Sequence, residues 1–247
     1  MNLTHYRALS FDVYGTLIDW EAGIADVLTP WAATQGLALN EEELLVSYAA
    51  NEAAVAREEP SWRYPRVLAE AFRRTGVDLK RTVSQGWANR LGNSVPQWPA
   101  FEDSAQALAD LAQRYELIIL SNVHRDGFTG SNEQLRGDFA AVITAEDVGA
   151  YKPADPHFEA LETTLGDLGI ERNRLLHVAQ SLFHDHVPAK RHGLDSVWIN
   201  RRHDRPGWGA TPELAGGWDY QAEYPSMGAF TEDVQRAFAD EPGGVSP

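Results

Sequence analysis

The sequence contains no cysteine, which excludes a disulfide framework, thiolate metal ligation and a cysteine nucleophile. Positive charge is scarce: 21 Lys and Arg against 36 Asp and Glu give a formal net charge of −15. A field of that sign repels phosphate backbones and anionic lipid surfaces, so neither nucleic acid nor a membrane is an expected partner. No long apolar run occurs, and Met1 to Ser10 lacks a basic stretch followed by an apolar one. The chain therefore reads as cytosolic, with no membrane span or signal peptide expected. Internal repeats, low-complexity tracts and coiled-coil heptads are missing too. Any site that takes an anion has to rest on a few individually placed Lys or Arg residues.

What the chain does have is material for one large core. It has 247 residues, 43% of them hydrophobic, with 8 Trp, 8 Tyr and 9 Phe. That suits a main domain carrying a smaller insertion, and not a disordered chain. Tyr6 to Tyr14 alternate apolar and small side chains up to Gly15-Thr16, which predicts a buried strand ending at Asp12. From Ile18 to Gln97 strand signals vanish. Asn40 with Glu43 predicts a capping box, Leu44, Leu45, Tyr48 and Val55 follow near helical spacing, and Pro65 to Arg74 predicts a helix that stops before Gly76.

After Pro99 helices and short apolar strands alternate. A helix over Asp103 to Arg114 leads to a strand Leu117 to Leu120 that stops at Ser121-Asn122. A weaker strand, Ala141 to Thr144, precedes Tyr151-Lys152-Pro153. Asp155-Pro156 then opens a helix with Phe158, Leu161, Leu165 and Leu168 on one face. The strand Arg174 to Ala179 runs into Gln180 to Asp185, a helix Val187 to His192 closed by Gly193, and a strand Ser196 to Asn200. This order predicts an α/β fold, a Rossmann-like parallel sheet covered on both faces. Residues 1–17 and 98–247 form the expected core and 18–97 an inserted helical cap domain. Residues 205–218, rich in Gly, Pro and Trp, predict an ordered loop. Gly228 to Ala239 predicts a last helix and Glu241 to Pro247 a frayed end.

In an open parallel sheet, ligands bind beyond the carboxyl ends of the strands, so polar residues that terminate successive strands converge on one site. Asp12, Ser121 with Asn122, Lys152 and Asp185 each lie at or just after a predicted strand end. Together they bring a carboxylate, hydrogen-bond donors and an ammonium to one place. A carboxylate that is desolvated and held beside a fixed cation is a competent nucleophile toward a carbon bearing a leaving group.

Phe11-Asp12-Val13-Tyr14-Gly15-Thr16-Leu17, Leu120-Ser121-Asn122, Tyr151-Lys152-Pro153 and the Asp185 segment together resemble the four motifs of the haloacid dehalogenase superfamily. Phosphatases of that superfamily generally carry a second Asp two positions after the nucleophile, as proton donor to the leaving oxygen. Here Tyr14 stands at that position, and the Asp-x-Tyr-Gly-Thr form resembles the type II 2-haloacid dehalogenases, whose leaving halide needs no proton. The resemblance implies hydrolytic dehalogenation of short 2-haloalkanoic acids through an aspartyl ester, without a cofactor, in a homodimer. It implies Asp12 as nucleophile, Lys152 balancing it, Thr16 and Ser121 holding carboxylate oxygens, and Asn122 and Tyr14 in the substrate and halide set. Asp185 would position Lys152 or the hydrolytic water. Thr16 also suits a plain turn cap, and Asn122 a satisfier of loop amides. A magnesium-dependent phosphatase, with Asp12, the Tyr14 carbonyl and Asp185 around the ion, is the alternative. A catalytically idle binding module is a third reading.

The chain departs from the family at several positions. The arginine that relatives carry early in the cap aligns near Ala49, with Arg57, Arg63 and Arg66 further along. The Tyr six residues after the lysine is Phe158, and the usual Ser-Ser-Asn is Gln180-Ser181-Leu182. Trp62-Arg63-Tyr64-Pro65-Arg66 reads as a lid whose arginines grip the substrate carboxylate, or as ordinary helix-edge packing. Trp20 and Trp98 are candidates for the cleft or the hinge. His184 or His186 is the expected base for ester hydrolysis, because imidazole titrates near neutrality. The His-x-His pair also admits a metal reading, ranked below packing because no third ligand is near in sequence.

Overall fold

A computed structural model describes residues 1–205, 210–211 and 216–240. The first strand, β1 (Ala8–Phe11), is followed by four helices: α1 (Trp20–Thr34), α2 (Glu41–Glu58), α3 (Tyr64–Asp78) and α4 (Gln85–Gly92). The chain then passes through α5 (Ser104–Leu111), β2 (Glu116–Ser121), α6 (Arg125–Leu135), β3 (Ala141–Thr144), α7 (Ala145–Val148) and α8 (Pro156–Asp167). It closes with β4 (Leu175–Ala179), a π-helical turn at Leu182–His186, α9 (Val187–Arg191), β5 (Asp195–Ile199), β6 (Ala222–Tyr224) and α10 (Met227–Ala239).

The six strands form one parallel sheet in the order β3-β2-β1-β4-β5-β6. Phe11 of β1 pairs with Ile119 of β2 on one side and Val178 of β4 on the other. All four residues of β1 and all five of β4 are buried, as expected for strands covered by helices on both faces. The chain builds outward from β1 in one direction through β3 and in the other through β6. The reversal at β1 and β4 is the topological switch point where such sheets bind ligands.

The four-helix segment leaves and re-enters through a paired neck. Ile18 bridges Ala100 in antiparallel fashion, the Asp19 amide donates to the Pro99 carbonyl at 2.8 Å, and the Phe101 amide donates to the Leu17 carbonyl at 3.0 Å. The Asn40–Glu43 capping box forms as expected and starts α2.

Several boundaries differ from the sequence expectation. The first strand ends at Phe11, directly before the expected end at Asp12, and Val13 to Ile18 fold back as a turn, with the Leu17 and Ile18 amides on the Val13 carbonyl. The helix expected to stop before Gly76 continues to Asp78. Gly76 is an interior contact point there, since a Cβ on it would lie 2.6 Å from Val83 Cγ2. Leu168 caps α8 and is 38% exposed, outside the buried face assigned to it. Helices α1, α4 and α6 and edge strand β6 had no distinct signal. In α6 two glycines and a polar face mask the period. The expected loop over 205–218 lies largely outside the described residues, as does the expected fraying of 241–247.

Candidate active site

Three strand ends and one loop bring the chemistry together. β1 hands the chain to Asp12, β2 to Asn122, β4 to Gln180 and Ser181, and the segment before α8 supplies Lys152. They line a cavity of about 750 Å³ that α2 also walls.

Lys152, 2% exposed, is the hub. Its Nζ donates to Asp12 Oδ1 at 2.9 Å, to Asp185 Oδ1 at 2.6 Å and to the Leu120 carbonyl at 2.8 Å. All three ammonium protons are thereby used. Thr16 Oγ1 donates to the other Asp12 oxygen at 2.8 Å and accepts the Gln180 amide at 2.9 Å, tying the first motif to the end of β4. Gly15 adopts φ +100°, and a Cβ there would stand 3.0 Å from Gln180 Oε1. The turn that presents Thr16 thus requires glycine.

The carboxylates are not equivalent. Burial pushes the Asp12 carboxyl up, against the pull of Lys152 and Thr16. Burial acts on Asp185 in the same sense, but Lys152 and His177 outweigh it and hold Asp185 well below the usual carboxylate range. Burial would lower Lys152, yet its two carboxylates raise it, so it stays an ammonium. Asp185 is the permanent counter-ion, and Asp12 is a carboxyl whose ionised form is poorly solvated and held by Lys152 and Thr16. That is the condition under which a carboxylate gains nucleophilicity.

Asn122 is committed to shaping this loop. Its Oδ1 accepts the Lys152 amide at 2.6 Å and its Nδ2 donates to the Lys152 carbonyl at 3.2 Å. Ser121 is buried in the last position of β2, its Oγ has no partner among the described residues, and it does not line the cavity. Tyr14 lines the cavity, but its hydroxyl meets Ser131 Oγ at 2.9 Å and its ring stands edge-on to Trp98. Trp20 lines the cavity; Trp98 is buried behind it.

The expected carboxylate grip by Arg63 and Arg66 is not what the structure places at the cavity. Arg63 pairs with Asp126 and Glu146 on the surface, and Arg66 lies 3.5 Å above the Trp62 ring. Trp62 contributes its carbonyl to the Tyr151 hydroxyl. None of the three lines the cavity: Arg63 is drawn to the acids of α6 and α7, and Arg66 is held over Trp62. Arg57 and Arg191 do line it. Arg191 is engaged by Asp155 and the Pro153 carbonyl.

The two candidate histidines part company. His186 is buried and off the cavity. Its Nε2 donates to the Ala179 carbonyl at 2.9 Å and its Nδ1 meets Ser196 Oγ at 2.8 Å, a packing role in place of the expected base. His184 lines the cavity with Nδ1 3.0 Å from Ser181 Oγ. Burial pushes it down to about 4, so it is neutral near pH 7.

Two participants escaped the sequence reading. His177, inside the apolar run of β4, donates from Nε2 to Asp185 Oδ1 at 3.1 Å, while its Nδ1 meets Ser10 Oγ at 2.8 Å. Its setting reads as core. Glu52 lines the cavity from α2 and accepts the Tyr64 hydroxyl at 2.8 Å. It shares a helical face with Ala49, a signal that a projection of α2 would have exposed.

Lys152 bridges Oδ1 of Asp12 and Oδ1 of Asp185, Asp185 Oδ2 has no partner among the described residues, and among those residues no cluster of three or more His, Cys, Asp or Glu could hold a metal.

Comparison with known proteins agrees with this architecture. A protein-family model described as a haloacid dehalogenase-like hydrolase matches residues 6–183. The chain is 27% identical over 200 residues to haloacetate dehalogenase H-2 of Moraxella sp. (strain B), covering 79% of this chain and 86% of that protein. It is 26% identical over 183 residues to a phosphoglycolate phosphatase of Photorhabdus laumondii, covering 71% and 72%. The structure of an L-2-haloacid dehalogenase from Xanthobacter autotrophicus superposes with a TM-score of 0.75 at 19% identity, covering 93% of this chain and 98% of that one.

Proposed function

This chain belongs to the haloacid dehalogenase-like hydrolases, and from that premise we propose that it removes halide from short 2-haloalkanoic acids, fluoroacetate among them, to leave 2-hydroxy acids. The observation that carries the reading is the Asp12 carboxylate, buried, clamped by Lys152 and Thr16, with Tyr14 where a phosphatase needs a second acid. An alkoxide leaving group would find no proton there, whereas a halide leaves as a stable anion.

In the first half-reaction an Asp12 oxygen displaces halide from the α-carbon, forming an ester and releasing the anion. Lys152 keeps Asp12 ionised and oriented, and Thr16 holds its second oxygen away from rotation. In the second, water adds to the Asp12 side-chain carbonyl carbon, the ester bond breaks, and 2-hydroxy acid and one proton leave. His184, unprotonated and lining the cavity, takes that proton. The four helices between β1 and α5, within residues 18–97, act as the cap that limits water access.

The test is halide and phosphate release from chloroacetate, fluoroacetate, 2-chloropropionate and an aryl phosphate, with and without chelator. Chelator-resistant halide release that Asp12→Ala abolishes is expected, with one solvent oxygen entering Asp12 per turnover in heavy-oxygen water. Chelator-sensitive phosphate release alone would replace this reading with the phosphatase one.

A further inference from the structure

The site has a charge problem. A haloacid enters as an anion, but among the described residues two of the three Lys and Arg side chains that line the cavity are already engaged. Lys152 spends its three protons on Asp12, Asp185 and the Leu120 carbonyl, and Arg191 is engaged by Asp155 and the Pro153 carbonyl. Arg57 makes no ion pair among the described residues, but it is exposed, which suits it to draw an anion inward more than to hold it at depth.

The α2 wall of the cavity offers something else. Ala49, Glu52, Ala53 and Ala56 fall at helical spacing on one face, so three methyls surround one carboxyl. Glu52 Oε1 accepts the Tyr64 hydroxyl at 2.8 Å. Among the described residues its Oε2 has no hydrogen-bond partner, and no Lys, Arg or His pairs with it. An ionised Glu52 would be an uncompensated charge in an apolar wall, and it would repel the substrate.

We propose that Glu52 holds the substrate carboxylate as a neutral acid, with Oε2–H donating to a carboxylate oxygen of the haloacid, so that substrate and proton are taken up together. This rests on the dehalogenase reading for the identity of the anion. Glu52 is then the residue that makes the cavity selective for a short carboxylate, in the part of the cap where relatives place an arginine.

The direction of the Glu52 equilibrium agrees, since burial pushes its carboxyl up, opposed only by the Tyr64 hydroxyl. Other titratable groups line the cavity or, like Tyr48, lie behind its wall near Glu52. Tyr48 on α2, Tyr64 on α3 and Tyr151 before α8 are all raised, foremost by burial, and remain neutral. His184 is neutral above about 4. Lys152 and Asp185 keep their charges, and Asp155 is paired with Arg191. Asp12 is raised like Glu52, but its protonation stops chemistry and therefore moves kcat, whereas Glu52 moves KM.

Propionate, a carboxylate without a halogen, tests the site apart from turnover. Its binding to an Asp12→Asn variant is measured by calorimetry in buffers of different ionisation enthalpy. In the pH range where free Glu52 is ionised, the expected result is uptake of close to one proton per anion bound, with affinity falling about tenfold per pH unit. Adding Glu52→Gln, which keeps a donor in place, removes both the proton uptake and the slope. In the otherwise native enzyme, Glu52→Gln makes the chloroacetate KM independent of pH.

Propionate binding that shows neither proton uptake nor a pH slope up to the alkaline limit of the folded protein, an unchanged slope in Glu52→Gln, or no propionate binding at all overturns the proposal. Proton-linked propionate binding in an enzyme that releases no halide from any haloacid would sink the dehalogenase reading and leave the carboxylate site standing.

Discussion

Near Asp12 the decisive facts are directions of single side chains. His184 and His186 stand two residues apart in the π-helical turn, yet one lines the cavity and the other bonds Ala179 and Ser196. His184→Gln is expected to slow ester hydrolysis by about 10² and to let the aspartyl ester accumulate in single-turnover experiments. His186→Gln is expected to lower stability while the ester clears at the normal rate. An ester that clears equally fast in both variants would remove His184 from the mechanism. Sequence reading found both histidines because they flank Asp185. It could not separate them, because one added residue in a turn rotates every side chain after it.

Among the elements, α3 and the β1 turn show how local composition and packing divide the work. The start of α3 follows from Pro65 at its first turn, but its end does not follow from Gly76, which reads as a stop and serves as a contact. Val83 Cγ2 and the Arg81 carbonyl would lie 2.6 Å and 2.9 Å from an added Cβ. Gly76→Ala therefore gains helix propensity of up to about 1 kcal/mol but forces the 80–84 loop outward at about 1–3 kcal/mol. Net destabilisation is expected, read as a lower urea midpoint at unchanged slope. A raised midpoint would mean that the loop moves freely.

Taken whole, the molecule carries a large negative charge and sets the acids Asp12, Asp185 and Glu52 at the cavity. Their signs differ. Asp185 sits below its unfolded value, so its contribution is complete at neutral pH and is lost as pH falls from about 4 downward. Asp12 and Glu52 are raised, so ionising them weakens the fold as pH rises above the ordinary carboxylate range. Thermal unfolding followed from pH 5 to below pH 3 is expected to show a steep acid limb that Asp185→Asn flattens; an identical limb in the variant would refute the assignment. The sequence by itself determined the alternation of helix and strand and the polar residues at strand ends, because hydrophobic period and chain-stopping residues act over a few positions. It also carried Asp12, Lys152 and Asp185, since a parallel sheet converts strand ends into neighbours. Only the tertiary structure decided that Arg63 faces surface acids and Arg66 stacks on Trp62, that His177 backs Asp185, and that Glu52 meets Tyr64 in the cavity wall. Those outcomes depend on how elements far apart in the chain pack, where the energy of one side chain is set by groups that no local pattern reveals.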